Sequence, residues 1–318
     1  MIESSQDSQP KTDDNDAAVA MRRPRQDRSR RRRRRLRRTL TLALVLIALA
    51  GIIVTNWDLL MGSLEDRQIA ATRAEHRALW ALGSALPGTP DLAKLDERLA
   101  ASGLTRQQPI LIRIFKREFE LEIWKAKDGR YQHFATYPIC RWSGRLGPKL
   151  KTGDRQAPEG FYTVSKHQLN PNSRWHRSFN LGFPNVYDRA HGRTGSFLMV
   201  HGGCGSVGCY AMTNAVIDEI WTLVTAAFDA GQRRFQVQAF PFRMTEENLA
   251  AKAAHPLHTF WNTLKSGSDL FEASSLPPRI HVCGRNYVFL QGRNISDGEM
   301  PIMPSCPANT AKKQPSES

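Results

Sequence analysis

The sequence predicts a β-rich α+β domain carried behind a single transmembrane helix and a short helical stalk. Three observations predict it. An uncharged stretch of 19 residues, Thr39 to Trp57, directly follows a dense arginine block. From Pro109 onward, apolar residues recur with period two. A single strongly amphipathic helix, residues 213–230, follows a glycine-dense segment that holds a histidine and two cysteines.

The net charge of +15 reads as a nucleic-acid signal until it is located. Residues 21–38 hold twelve Arg against Asp27, while residues 1–20 hold Glu3, Asp7, Asp13, Asp14 and Asp16 against Lys11. The block lacks interleaved aromatics and leads straight into apolar chain, so it does not predict a nucleic-acid partner. Residues 1–38 are polar and apolar-poor and are expected to be a disordered cytoplasmic tail. As a helix the uncharged 19-mer spans about 28 Å, near the hydrocarbon thickness of a bilayer. Arginines stay on the cytoplasmic side. The expected topology is therefore a single-pass anchor in the cytoplasmic (inner) membrane, residues 39–57, with the rest exported to the periplasm. Ala48-Leu49-Ala50 resembles a signal-peptidase site. The apolar run continues through Val54, which favours an uncleaved anchor.

Residues 58–108 read as a helical stalk. Ile69, Arg73, His76, Leu79, Trp80 and Leu82 recur at helical spacing, Pro87-Gly88 stops the helix, and a second runs from Asp91 to Ser102. Strands are expected at 110–115, 119–124, 131–137, 160–164, 196–200 and 235–240, which sets the main domain at 109–243. The helix at 213–230 turns Ile217, Ile220, Trp221, Val224 and Phe228 to one face. Residues 244–290 read as an extension, with a helix from Thr245 to Ala254 or onward to Leu264 and a strand near 279–282. Residues 291–318 read as a disordered tail.

Chemistry concentrates in Val200-His201-Gly202-Gly203-Cys204-Gly205-Ser206-Val207-Gly208-Cys209-Tyr210-Ala211-Met212-Thr213. A cysteine just ahead of a helix N-terminus, with a histidine nearby, is placed to be a thiolate at neutral pH. Cys209 would attack a carbonyl while His201 carries the proton, and the amides around Gly208 and Cys209 are natural oxyanion donors. Two rivals use the same residues. His201, Cys204 and Cys209 could be metal ligands, but no fourth is evident and the spacing matches no common zinc pattern. Alternatively, Cys204 and Cys209 form a structural disulfide or are inert packed residues. The five cysteines leave at least one thiol unpaired, and their connectivity is not legible.

This segment resembles the active-site signature of the YkuD-type L,D-transpeptidase catalytic domain, in its YafK-like branch. His201-Gly202 and Ser206-Val207-Gly208-Cys209 match in order. The likeness extends through Trp142-Ser143-Gly144, Gly147-Pro148-Lys149 and Gln156-Ala157-Pro158-Glu159-Gly160-Phe161-Tyr162, covering roughly 110–243 with YafK-like character to about 290. The resemblance implies a β-sandwich or barrel with one helix after the cysteine. It implies Cys209 as nucleophile, a thioester with a peptidoglycan stem peptide, and His201 as acid/base. The Gly202 carbonyl would orient the imidazole, and Gly208 with Cys209 would form the oxyanion hole. No metal or organic cofactor is implied. Ser206, Tyr210, Lys149 and Lys151 are further candidates for substrate binding. Val207 replaces a second histidine of the common signature, and Ala211 stands where Arg or Asn is frequent. Both departures are YafK-like. For that branch, hydrolysis of wall links, including those to a lipoprotein, is the alternative to forming cross-links.

Overall fold

The computed structural model describes residues 23–55 and 57–307. Helix α1 (Arg23–Thr55) contains one stretch, Arg32–Ile53, long and apolar enough to cross a membrane, with mean hydropathy 2.0. The arginines of 23–38 were expected to be disordered. They are helical because Arg is a good helix former and the run continues into Leu-rich chain. Residues 1–22 of that expected tail lie outside the described residues.

Helix α2 (Trp57–Ala81) and α3 (Leu95–Ala101) occupy the expected stalk, which from Gly62 onward belongs to the same compact unit as the main domain. The stalk is no spacer. Ile69, Leu95, Leu99 and Leu104 join the main apolar core. His76 Nδ1 lies 2.9 Å from the Ile139 carbonyl oxygen. Arg98 donates from Nη2 to both Glu219 oxygens at 2.5 and 2.6 Å.

Two sheets build the body. The first runs β3-β2-β1-β10-β5, with β1 (Ile110–Phe115), β2 (Glu120–Lys127), β3 (Arg130–Pro138), β5 (Gly160–Ser165) and β10 (Arg234–Phe240). Strand β1 is central, parallel to β10 and antiparallel to β2, and all six of its residues are buried. That explains an unbroken Ile-Leu-Ile interrupted only by Arg113, whose guanidinium bonds Glu272 and Ser268.

The second sheet runs β4-β9-β8-β7-β6 and is made of shorter pieces: β4 (Arg141–Trp142), β6 (Leu169–Ser173), β7 (His176–Asn180), β8 (Met199–His201) and β9 (Tyr210–Ala211). The strand expected at 196–200 begins only at Met199, because Phe197 sits at φ 55°, outside the extended region. A short helix α4 (Val186–Ala190) separates β7 from β8.

Helix α5 (Asn214–Asp229) starts where Thr213 Oγ1 accepts the Val216 amide at 3.3 Å. It buries Val216, Ile217, Ile220, Leu223, Val224, Ala227 and Phe228. At roughly 1.5–3 kcal/mol for each larger side chain, that face contributes on the order of 10 kcal/mol of gross burial. The extension forms two helices rather than one, α6 (Glu246–Ala250) and α7 (His258–Ser274), because Pro256 lies between them. The hairpin of β11 (Arg279–Cys283) and β12 (Asn286–Leu290) follows. The tail expected to be disordered from 291 is ordered to Pro307. Cys306 is bonded to Cys283, Met303 exchanges backbone bonds of 2.8 and 3.0 Å with Val282 and Ile280, and Asp297 is buried. Residues 308–318 lie outside the described residues.

Candidate active site

Parallel pairing of β8 with β9 brings the motif residues together. His201 pairs with Ala211, so Cys209, one residue ahead of β9, lies on the same sheet face as His201. His201 is buried, and its Nδ1 is 2.6 Å from the Gly202 carbonyl oxygen. That oxygen only accepts, so Nδ1 carries the proton and Nε2 is left with its lone pair. Gly202 has no room for a side chain: a Cβ there would sit 2.7 Å from Asn214 Oδ1 at the head of α5.

Cys209 is the free thiol among the described residues. Its Sγ accepts the Met199 amide at 3.4 Å and donates to the Phe197 carbonyl at 3.6 Å. Burial pushes its pKa up, opposed by the Met199 N–H and the Lys149 charge. Burial pushes the His201 imidazole down, opposed by its bond to Gly202. Both shifts favour the neutral forms, against the expectation of a thiolate. The cause is burial of the sulfur; α5 begins five residues after Cys209, with β9 between. No hydrogen bond joins the imidazole to the sulfur among the described residues.

The two amides expected to form an oxyanion hole are occupied. The Gly208 N–H donates to Ser143 Oγ, and the Cys209 N–H donates to Ser206 Oγ at 3.1 Å. The two hydroxyls lie 3.2 Å apart, and Ser206 donates to the Cys209 carbonyl at 2.6 Å. Ser206 thus braces the loop and has no hydroxyl to spare for substrate. Tyr210 is likewise reassigned: it is fully buried, with its hydroxyl 2.5 Å from the Pro158 carbonyl oxygen. Lys149 is an internal cation, with Nζ 2.5 Å from Asp154 Oδ1 and 3.0 Å from the Lys151 carbonyl. Lys151 is exposed, and its carbonyl is its contribution here.

Three features were not anticipated. Ser143 lies in the Trp-Ser-Gly stretch, but nothing local announced its bond to Gly208. Trp175 comes from the turn between β6 and β7, 26 residues before His201, and tilts over that imidazole at 5.8 Å between ring centroids. It is 39% exposed, unlike Trp261 at 0%. Third, Cys204 is bonded to Cys140, with Cα atoms 5.2 Å apart. The bond takes a thiolate from the suspected metal set of His201, Cys204 and Cys209, and it excludes a Cys204–Cys209 bridge.

The register of β8 with β9 sets a free thiol and an imidazole with an unprotonated Nε2 on one sheet face, residue types that pair in cysteine–histidine sites. Comparison with known proteins supplies the family. The YkuD L,D-transpeptidase catalytic domain matches residues 111–238. YafK of Escherichia coli, in strain K12 and identically in O157:H7, has a provisional L,D-transpeptidase assignment. It is 45% identical over 207 residues, 65% of this chain and 82% of its own. This chain belongs to the YkuD-type L,D-transpeptidase family, a family that acts on peptidoglycan, and is YafK-like within it. Among solved structures, the helical cell shape determining protein Pgp2 of Campylobacter jejuni aligns at 21% identity and TM-score 0.35, over 55% of this chain and 65% of its own. Bd1075 of Bdellovibrio bacteriovorus aligns at 20% and 0.29, over 51% and 60%. These structural alignments are too partial to bear on the site.

Proposed function

We propose that Cys209 is the nucleophile of a peptidoglycan-modifying acyl transfer and His201 its general base. The carrying observation is the imidazole, fixed by Gly202 with Nε2 unprotonated, on the same face as a neutral free thiol. His201 Nε2 takes the thiol proton as sulfur attacks the carbonyl of the third stem residue. The C–N bond to the terminal D-alanine breaks, and the imidazolium returns its proton to that leaving amine. An amine of a second stem then resolves the thioester to a cross-link, or water resolves it in a YafK-like hydrolysis of wall or wall–lipoprotein links. The amides of Gly208 and Cys209 serve the oxyanion only after Ser143 and Ser206 yield them. The chemistry needs no metal or organic cofactor.

We place the domain in the periplasm on an uncleaved α1 anchor, from the arginine block beside an uncharged 19-mer. A reporter that works only when exported, fused after residue 70, is expected to be active; activity of a cytoplasm-only reporter there would overturn this topology. Mass spectrometry of purified wall fragments incubated with residues 62–318 tests the reaction. Cross-linked dimers support transpeptidation, shortened stems or released peptide support hydrolysis, and unchanged fragments contradict both.

A further inference from the structure

Lys116 follows β1 directly, and neither its side chain nor that of Glu159 has any exposed surface. Four oxygens surround Lys116 Nζ: Glu159 Oε1 at 2.9 Å, and the carbonyls of Arg145, Gly147 and Ala157 at 2.8, 3.0 and 3.1 Å. An ammonium has three hydrogens, so its donors are fully used. Burial pushes the ammonium's pKa down, and Glu159 opposes that. A buried ion pair contributes little beyond what apolar residues of the same shape would give, so stability alone does not account for it. All four acceptors belong to one segment, 145–159. Glu159 Oε1 also takes the Gly147 amide at 2.6 Å.

The same segment borders the reactive cysteine. Ser143, two residues before it, takes the Gly208 N–H, and the Ala157 amide returns to the Ser143 carbonyl at 2.9 Å. The Gln156 carbonyl lies 3.8 Å from where a Gly208 Cβ would stand. Lys149, in its middle, bears electrostatically on Cys209. From the other side comes the C-terminal extension. Trp261 of α7 donates its indole N–H to Glu159 Oε2 at 3.0 Å, and Leu257 Cδ1 lies 2.7 Å from the Cβ position of Gly147.

We propose that Lys116, Glu159 and Trp261 are positioning residues, a latch through which the extension holds the 143–159 loop against Gly208 and Cys209 and so sets the rate of turnover. The turnover part rests on the function proposed above; the placement of the loop does not. The latch holds the loop that carries Ser143 and lies against Gly208, and so fixes where the freed Gly208 amide meets the oxyanion; its loss misplaces that donor and is felt in kcat rather than in KM.

Two variants of the full chain test it. Trp261→Phe keeps the packed ring and deletes one N–H; Glu159→Gln keeps the shape and leaves Lys116 without its counter-charge. Amide hydrogen exchange at Gly147 and Gly208 is read beside kcat, KM and the melting temperature. In Trp261→Phe both amides are expected to exchange roughly 3–10-fold faster, with kcat lower by a similar factor and KM within about twofold. Glu159→Gln is expected to exceed about tenfold in both. A merely structural role would lower the melting temperature and leave these two amides no more labile than the rest of the domain. Wild-type exchange at Gly208 in folded Trp261→Phe, or a rise in KM with kcat held, would overturn the latch. Should Glu159→Gln not fold, Trp261→Phe decides alone. A wild type without turnover sinks the functional reading, and exchange at Gly208 then decides the latch.

Discussion

The two sheets of this protein are built to different specifications. The sheet around β1 has strands of six to nine residues, a central strand buried throughout, and left-handed non-glycine residues only at its turns, Phe119 and Asp128. The sheet around β8 has strands of two to five residues. Phe197 and Cys204 hold positive φ in its connections, as does His176 where β7 begins. Between 109 and 307 the exposed large hydrophobics among the described residues are Leu150, Trp175, Phe197 and Val207, all outside the strands and helices. Long buried strands fix a frame at the expense of surface. Short strands with irregular connections leave side chains and amides free to face a ligand. The first sheet is scaffold, and the second carries the candidate site.

That division breaks most directly at Cys209. Cys209→Ala is expected to abolish turnover and covalent capture by a carbapenem, which acylates many enzymes of this family, while melting stays near wild type. Cys204→Ser is expected to keep a measurable fraction of both, because its sulfur is tied to Cys140. Labelling that maps to Cys204 would show that the wrong thiol had been chosen. His201→Ala is expected next, with a rate lower by roughly 10²–10⁴-fold and a small shift in melting. Stoichiometric zinc in the wild type, lost together with a large drop in melting temperature in His201→Ala, would instead make the second sheet a metal-held structure.

A scaffold variant should behave in the opposite way. Ile112 is fully buried in β1, and Ile112→Ala is expected to cost about 2–5 kcal/mol while the molecules still folded keep their activity per mole. At the mouth of the site, Val207→Ala is expected to change stability by less than about 0.5 kcal/mol, since Val207 is 76% exposed. Urea unfolding beside specific activity distinguishes the two, and equal losses from both would erase the distinction.

How far each sheet could be read from the sequence follows the same line. In β1, β2, β3, β5 and β10 apolar periodicity is long enough to register, and their expected bounds lie within a few residues of the structure. The amphipathic stripe of α5 was legible for the same reason. Strands β6 and β7 were missed: Leu-Asn-Pro-Asn-Ser and His-Arg-Ser-Phe-Asn carry no alternation, since much of that hairpin faces solvent. His201 and Cys209 stood out because glycine density and side-chain chemistry are local signals. Ser143, Trp175 and the Cys140–Cys204 bond arrive from 65, 26 and 64 residues away and depend on topology. The disordered tail assigned from 291 failed because a disulfide supplies order that apolar content does not.

The charge states give the smallest and finest test. The His201 pKa is pushed below its usual 6.5, so an imidazole base becomes competent on raising pH through that lower value. The Cys209 pKa is pushed above its usual 9.0, so alkylation by iodoacetamide, which needs thiolate, is expected to have its midpoint on the alkaline side of that value. Turnover should reach its plateau well before alkylation does. A shared acidic midpoint would mean a resting thiolate–imidazolium pair.

The claim that Cys209 carries the acyl group is tested most directly by trapping it. Wild-type protein is mixed with a tetrapeptide-stem muropeptide, quenched in acid within the first turnovers, digested and mapped by mass spectrometry. The account predicts a thioester of the shortened stem on the peptide containing Cys209, labile to hydroxylamine, absent from Cys209→Ala and formed far more slowly by His201→Ala. Product formation with Cys209 unmodified, or turnover persisting in Cys209→Ala, would contradict it.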